Sequence, residues 1–364
     1  MGSAAAYQLV RRGVRVLGID RYSPPHVFGS THGKTRIIRE AYFEHPAYVP
    51  LVRRAYELWQ ELEKASGQEL FLQTGGLMVG PPEGMLVAGA RQSAISHSLP
   101  YEELSTEEVR SRFPVLHPEE GMIALLEPRA GILYPELCVE TNLALAGALG
   151  ADLQYGERVV SWQCGNGAVQ VTTDRGRHDA SHLVLAAGPW LSELADFPLP
   201  LTVERQLFHW FKPSERHGLF HPDKCPIALW EYKPDSIFAT FPDLGNGVKA
   251  GIHHDGEITT PDAVRRDVSH EDDQAMRAQM RRFVPAACDR ILDSRVCLYT
   301  NTPDHHFIID RHPEHREVII ASPCSGHGFK FSSAIGEVLA DLVVAGESKM
   351  DLTLFEAGRF GKRQ

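Results

Sequence analysis

Lys249 and His253 stand at the two ends of the run Lys249-Ala250-Gly251-Ile252-His253, whose composition predicts a strand. Residues four apart on a strand share a face, so an amine and an imidazole project to one side and His254 to the other. A cation held in a dry site stabilises an anion that forms beside it. Residues 318–322 are mostly apolar and lead into Ser325-Gly326-His327-Gly328-Phe329-Lys330 and then a helix over 332–344. Strand, glycine-rich turn and helix aim backbone N–H groups at one point, where negative charge can develop at low cost. Cys297 lies in the apolar run Val296-Cys297-Leu298-Tyr299. On its own such a cysteine reads as inert core, and reactivity requires nearby positive charge to lower its pKa. Cys324, just before the glycine-rich run, is a competing thiol.

These groups need a scaffold. Residues 4–12 predict a helix ended by Gly13, and residues 14–19 an apolar strand closing on Asp20. That is the second half of a dinucleotide-binding βαβ unit, in which an acidic residue ending the second strand accepts hydrogen bonds from the adenosine ribose. Asp20 is the candidate. Gly2 reads as the third glycine of G-x-G-x-x-G, which leaves the first strand and its N–H groups absent by roughly a dozen residues. A misplaced start is the expected explanation. The other reading is a truncated remnant unable to bind its nucleotide.

Residues 48–66 carry apolar side chains at helical spacing, and Ser105 with Glu108 fits a capping box for a short helix through Arg112. Strands are expected at 121–128, 131–134, 182–187, 289–299 and 317–322, and helices at 135–149 and 267–283. Residues 201–254 are aromatic and β-rich and predict a large antiparallel sheet. The fold class is α/β: a Rossmann-like nucleotide domain (1–80, 135–200, 290–364) intertwined with an antiparallel-sheet substrate domain (81–134, 201–289).

The chain has 364 residues, 43% of them apolar, and a formal charge of −10. An acidic surface argues against nucleic acid but permits a small anion held by a few buried cations. Six dispersed cysteines without metal-ligand spacing read as reduced cytoplasmic thiols, with no metal site. No apolar run is long enough to span a membrane, no signal peptide is evident, and the C-terminal residues 362–364 are not a peroxisomal tripeptide.

Five segments in order resemble one family. They are residues 29–39 (Gly-Ser-Thr-His-Gly-Lys-Thr-Arg-Ile-Ile-Arg), Ala186-Ala187-Gly188-Pro189-Trp190, the Lys249–His253 run, Cys297-Leu298-Tyr299-Thr300-Asn301-Thr302, and 325–331. Together they resemble the monomeric sarcosine oxidases, N-methyltryptophan oxidases and pipecolate oxidases. The resemblance implies FAD bound covalently through Cys297, and a small amino acid and O₂ as partners of a monomer. It also implies a substrate carboxylate held by Arg39 and Lys330, with His32 and Arg36 near the flavin ring. Gly326, His327, Gly328 and Phe329 would face the flavin's pyrimidine end, Lys249 would promote electron transfer to O₂, and His253 would border the substrate amine. For Arg39 a structural salt bridge is the competing reading. A cyclic imino acid oxidase or a dehydrogenase on the same fold is the rival activity. Two departures, Phe238-Ala239-Thr240-Phe241-Pro242 in place of a tyrosine before G-F-P and Ile252 in place of an aromatic, predict a changed pocket wall.

Overall fold

A computed structural model describes residues 1–165 and 167–361; the tripeptide 362–364 lies outside them. Two pieces of parallel sheet carry one half of the fold. Leu17–Asp20 pairs in parallel with Asp152–Tyr155, Leu17 opposite Asp152 and Asp20 opposite Tyr155. Leu183–Leu185 pairs in parallel with Val318–Ser322, which also pairs antiparallel with Ile308–Arg311. All five residues of Val318–Ser322 are buried, as expected of an interior parallel strand.

Helices Gly2–Arg11, Pro135–Ala148 and Ser332–Val344 pack together over these strands. Their closest approach depends on Gly336, where a Cβ would lie 2.6 Å from the backbone of Ala4. Tyr48–Ser66 lies against Ser332–Val344 and buries Tyr48, Val49, Val52, Tyr56 and Trp59 along the stripe its periodicity predicts. The strand expected at 14–19 starts later, at Leu17, because ladder pairing begins only where Asp152 comes alongside.

The other half is a nine-stranded mixed sheet. Near one edge Thr202–Lys212 is flanked antiparallel by Val248–His253 on one side and by the terminal strand Arg290–Asn301 on the other. The sheet continues through Ser236–Phe241 and Ile227–Lys233 to Gly76–Gly80, which joins in parallel, and then Ile123–Glu127 and Glu102–Ser105. One face packs Trp230, Phe238, Phe211 and Val248 against Met276, Met280 and Phe283 of His270–Phe283. Burying an aromatic ring of this kind contributes about 2 to 3 kcal/mol. The opposite face turns toward the parallel strands.

The capping box at Ser105 is formed, with Glu108 N–H on its hydroxyl and the Glu108 carboxylate on its N–H. A three-stranded meander over Val159–Gly165, Ala168–Thr173 and Arg177–Ala180 was not expected from the sequence. The α/β class with both parallel and antiparallel sheets is what the sequence predicts.

Candidate active site

A cavity of about 1000 Å³ separates the two halves. Its walls include Met1, Gly2 and Ser3 at the start of the first helix, Leu17–Asp20, Leu183–Leu185, and the inner face of the large sheet. A helix start of this kind presents unpaired N–H groups to an anion. A Cβ on Gly2 would meet only Ala186, at 3.9 Å, so the position tolerates a side chain. Asp20 lines the cavity and accepts Tyr22 N–H at 2.8 Å. Burial raises its pKa while that hydrogen bond and His26 oppose the shift.

On the sheet face, His253 Nδ1 lies 3.1 Å from the Tyr299 hydroxyl. Gly326 sits against both rings with φ +77°, and a Cβ there would lie 2.5 Å from Tyr299 and 2.7 Å from His253. A Cβ on Gly328 would collide with the Pro323 carbonyl. The glycine-rich run is therefore glycine-rich because its backbone is pressed onto the site. Burial, with His254, His327 and Lys330 nearby, holds the pKa of His253 well below its ordinary value, so the ring is neutral. His254 does not point away as strand alternation predicts. Its left-handed φ of 55° ends the strand geometry and brings its ring centroid 4.1 Å from that of His253.

Lys249 is buried, and its Nζ donates to Gly33 O (2.8 Å), Thr35 O (2.9 Å) and Thr35 Oγ1 (3.0 Å). Burial and the Arg36 cation depress its pKa strongly.

Arg39 and Lys330 meet around Tyr42. The Arg39 guanidinium lies 4.3 Å from the ring centroid and Lys330 Nζ lies 3.3 Å from the hydroxyl. Arg39 Nη2 pairs with both oxygens of Glu44, at 2.8 and 2.7 Å. The structural salt bridge weighed for Arg39 is thus formed, with Glu44, while the adjacent Glu40 faces Arg53 and Arg129. Glu127 fixes the turn: its carboxylate accepts the N–H of Glu40 at 2.7 Å and of Ala41 at 2.8 Å. Lys330 Nζ also donates to His327 O at 2.7 Å, and burial followed by the Arg39 charge lowers its pKa to about 7. His327 Nδ1 lies 2.6 Å from the Tyr42 hydroxyl and its Nε2 2.9 Å from His305 O. The carbonyl requires Nε2–H, so Nδ1 accepts from Tyr42, and burial keeps the ring neutral with a pKa of about 3.

Cys297 lies just behind the cavity wall, 1% exposed. Arg36 Nη2 donates to its Sγ at 3.6 Å. The expected net lowering of the thiol pKa is not found: burial raises it, and Arg36, Lys249 and Arg266 offset only part. Cys324 also lines the cavity, its pKa raised by burial to about 11. Both nitrogens of His32, Ser30 Oγ and Thr300 Oγ1 are buried without a partner. His32 is neutral, its pKa lowered to about 3 by burial and Arg36. Phe329 lines the cavity and stacks on Trp59. Among the described residues no group of three or more His, Cys, Asp or Glu could hold a metal. Glu44, Tyr42 and Glu127 were not singled out from the sequence. An acid five residues beyond Arg39 was the available signal for Glu44.

The model of the FAD-dependent oxidoreductases matches residues 1–342. The chain is 41% identical to the monomeric sarcosine oxidase of Streptomyces avermitilis, over 99% of this chain and 95% of that one. The chain belongs to the FAD-dependent oxidoreductase family, among the sarcosine oxidase-like amine oxidases. To the N-methyl-L-tryptophan oxidase of Yersinia pestis this oxidoreductase is 34% identical, over 99% of its length and 96% of the relative's. Its fold matches that of L-proline dehydrogenase from P. horikoshii with a TM-score of 0.85 at 23% identity, covering 98% of this chain and 94% of that one. FAD is thus the cofactor of this oxidoreductase. The unpartnered Ser30 and Thr300 hydroxyls in the cavity wall, together with the helix start at Gly2, fit a large ligand rich in hydrogen-bonding groups.

Proposed function

We propose that the protein oxidises a carboxylate-bearing secondary amine, an N-methyl amino acid, to an imine. Water then hydrolyses the imine to an amino acid and an aldehyde, while O₂ is reduced to hydrogen peroxide. The observation that carries this reading is the convergence of Arg39 and Lys330 on the wall of a cavity shared with His253 and Gly326. Arg39 is matched by Glu44, so a protonated Lys330 leaves the pocket one positive charge, which suits one carboxylate. Anchored there, the amine and its methyl group are placed over the face that His253 and Tyr299 border. Bound FAD supplies the acceptor for a hydride equivalent from the C–H beside nitrogen. His253 is neutral and adds no charge next to an amine that must lose its proton to react.

The remaining assignments extend the same proposal. Cys297 is the tether, with Arg36 stabilising its thiolate. Asp20 takes the adenosine ribose, and Lys249 stabilises charge as O₂ is reduced. Ala239 and Ile252 line the cavity, whereas Phe238 points into the opposite core, so at these two positions the wall is aliphatic and admits a side chain larger than that of sarcosine. The enzyme acts as a monomer, as the name of the monomeric sarcosine oxidase it resembles suggests, and in the cytoplasm, in keeping with six free cysteines.

Peroxide and aldehyde release from a panel of N-methyl amino acids tests this, with N-methylamines lacking a carboxylate as controls. Turnover of the acids alone is expected. Equal turnover of amines without a carboxylate, or imine formation without peroxide, would refute it.

A further inference from the structure

A second cavity, of about 260 Å³, is lined by Lys249, which does not line the large cavity. Trp210, Phe241, Pro242 and Leu244 give it an apolar wall. Thr35 and Phe241 line both cavities, so a single layer of side chains divides them. Lys249 stands in that layer, its Nζ held by Thr35 and lying 4.7 Å from the Phe241 ring centroid. At the outer end Lys34 Nζ donates to Asn246 Oδ1 at 2.9 Å, and both residues border the cavity. Lys34 is held in the left-handed region (φ 68°), and Glu136 Oε1 accepts its N–H and that of Gly33. Nothing in the binding of an amino acid uses these residues.

We propose that this second cavity is the route by which dioxygen reaches Lys249, with the Lys34–Asn246 pair as the gate at its mouth. The proposal rests on the oxidase reading given above. Dioxygen is small and apolar and loses no hydrogen bonds on entering an aromatic and aliphatic passage, whereas a zwitterionic amino acid would lose the hydration of two charges. The cavity has ample room for a diatomic, since one water occupies about 30 Å³ of liquid. Reduction to hydrogen peroxide takes two electrons and one proton from the reduced cofactor and a second proton from solvent. The two co-substrates thus arrive from opposite sides, and the amino acid product need not leave before dioxygen enters.

The test uses FAD-loaded protein reduced by dithionite and mixed with O₂ in the absence of any amino acid. Leu244→Trp, which fills the cavity away from Lys249, is expected to slow reoxidation about tenfold while leaving anaerobic reduction by substrate unchanged. Asn246→Ala, which opens the gate, is expected to reoxidise at least as fast as the parent. Xenon is expected to bind between Trp210, Phe241 and Leu244 in pressurised crystals of the parent protein, a readout independent of turnover and of any variant's folding. Rapid reoxidation that Leu244→Trp does not slow, or a cavity without xenon, would overturn the route while leaving the oxidase intact. Reoxidation of the parent no faster than free reduced FAD would instead remove the oxidase reading on which the route depends.

Discussion

The guanidinium of Arg39 and the carboxylate of Glu44 form a buried two-pronged pair, with Arg39 Nη2 at 2.8 and 2.7 Å from the two oxygens. A substrate carboxylate must therefore compete with Glu44 for Arg39 or join it. Glu44→Gln leaves the guanidinium buried without its counter-charge, which costs about 3 to 5 kcal/mol in the absence of ligand. A bound carboxylate restores the missing charge. Acetate is expected to raise the Tm of Glu44→Gln more than that of the parent, and an equal rise in thermal denaturation would refute the pairing.

Lys330 is protonated below about pH 7 in the free enzyme and neutral above it. Carboxylate binding that depends on this charge is full below that pH and lost as pH rises through it. The Kd of acetate, measured by perturbation of the flavin spectrum, should weaken by up to about tenfold per pH unit above pH 7. Lys330→Met should bind acetate weakly and without that pH dependence. Turnover has the opposite tendency, because the substrate amine must be neutral, so kcat/KM is expected to pass through a maximum.

Glu127 satisfies two backbone N–H groups next to Arg39. Glu127→Ala leaves both buried donors unpaired, at a cost of about 2 to 5 kcal/mol in urea denaturation. Because those donors set the turn that aims Arg39, KM should rise more than kcat falls. Unchanged stability would show that Glu127 does not hold this turn.

Cys297→Ala should release all flavin on acid precipitation, while Cys324→Ala should retain it in the pellet. Because burial raises the Cys297 thiol pKa and Arg36 offsets part of that, tether formation in FAD-reconstituted apoprotein should speed up as pH rises. Arg36→Ala removes the offset and should slow it further at any one pH. Flavin fluorescence of the pellet measures each case.

The elements with their own periodicity were legible in the sequence. Tyr48–Ser66 and Ser332–Val344 carry buried apolar residues at helical spacing, and Ser105 with Glu108 marks a helix start. The meander from Val159 to Ala180 was not read, although Val169, Val171 and Thr173 alternate as a half-buried strand should. Polar residues between them and short turns masked the pattern. The site was legible mainly through resemblance, because Arg39 and Lys330 come from opposite ends of the chain and no local rule brings them to Tyr42. Glu44 lies in a loop without periodicity, and the left-handed turn at His254 overrides strand alternation.

The most direct test of the account is anaerobic mixing of the FAD-loaded protein with an N-methyl amino acid while the visible flavin absorbance is followed. Loss of the oxidised flavin spectrum with an N-methyl amino acid, no loss with the matching amine lacking the carboxylate, and full return on admitting O₂ are predicted. A flavin that stays oxidised with every secondary-amine amino acid, under conditions where dithionite reduces it, would contradict the account.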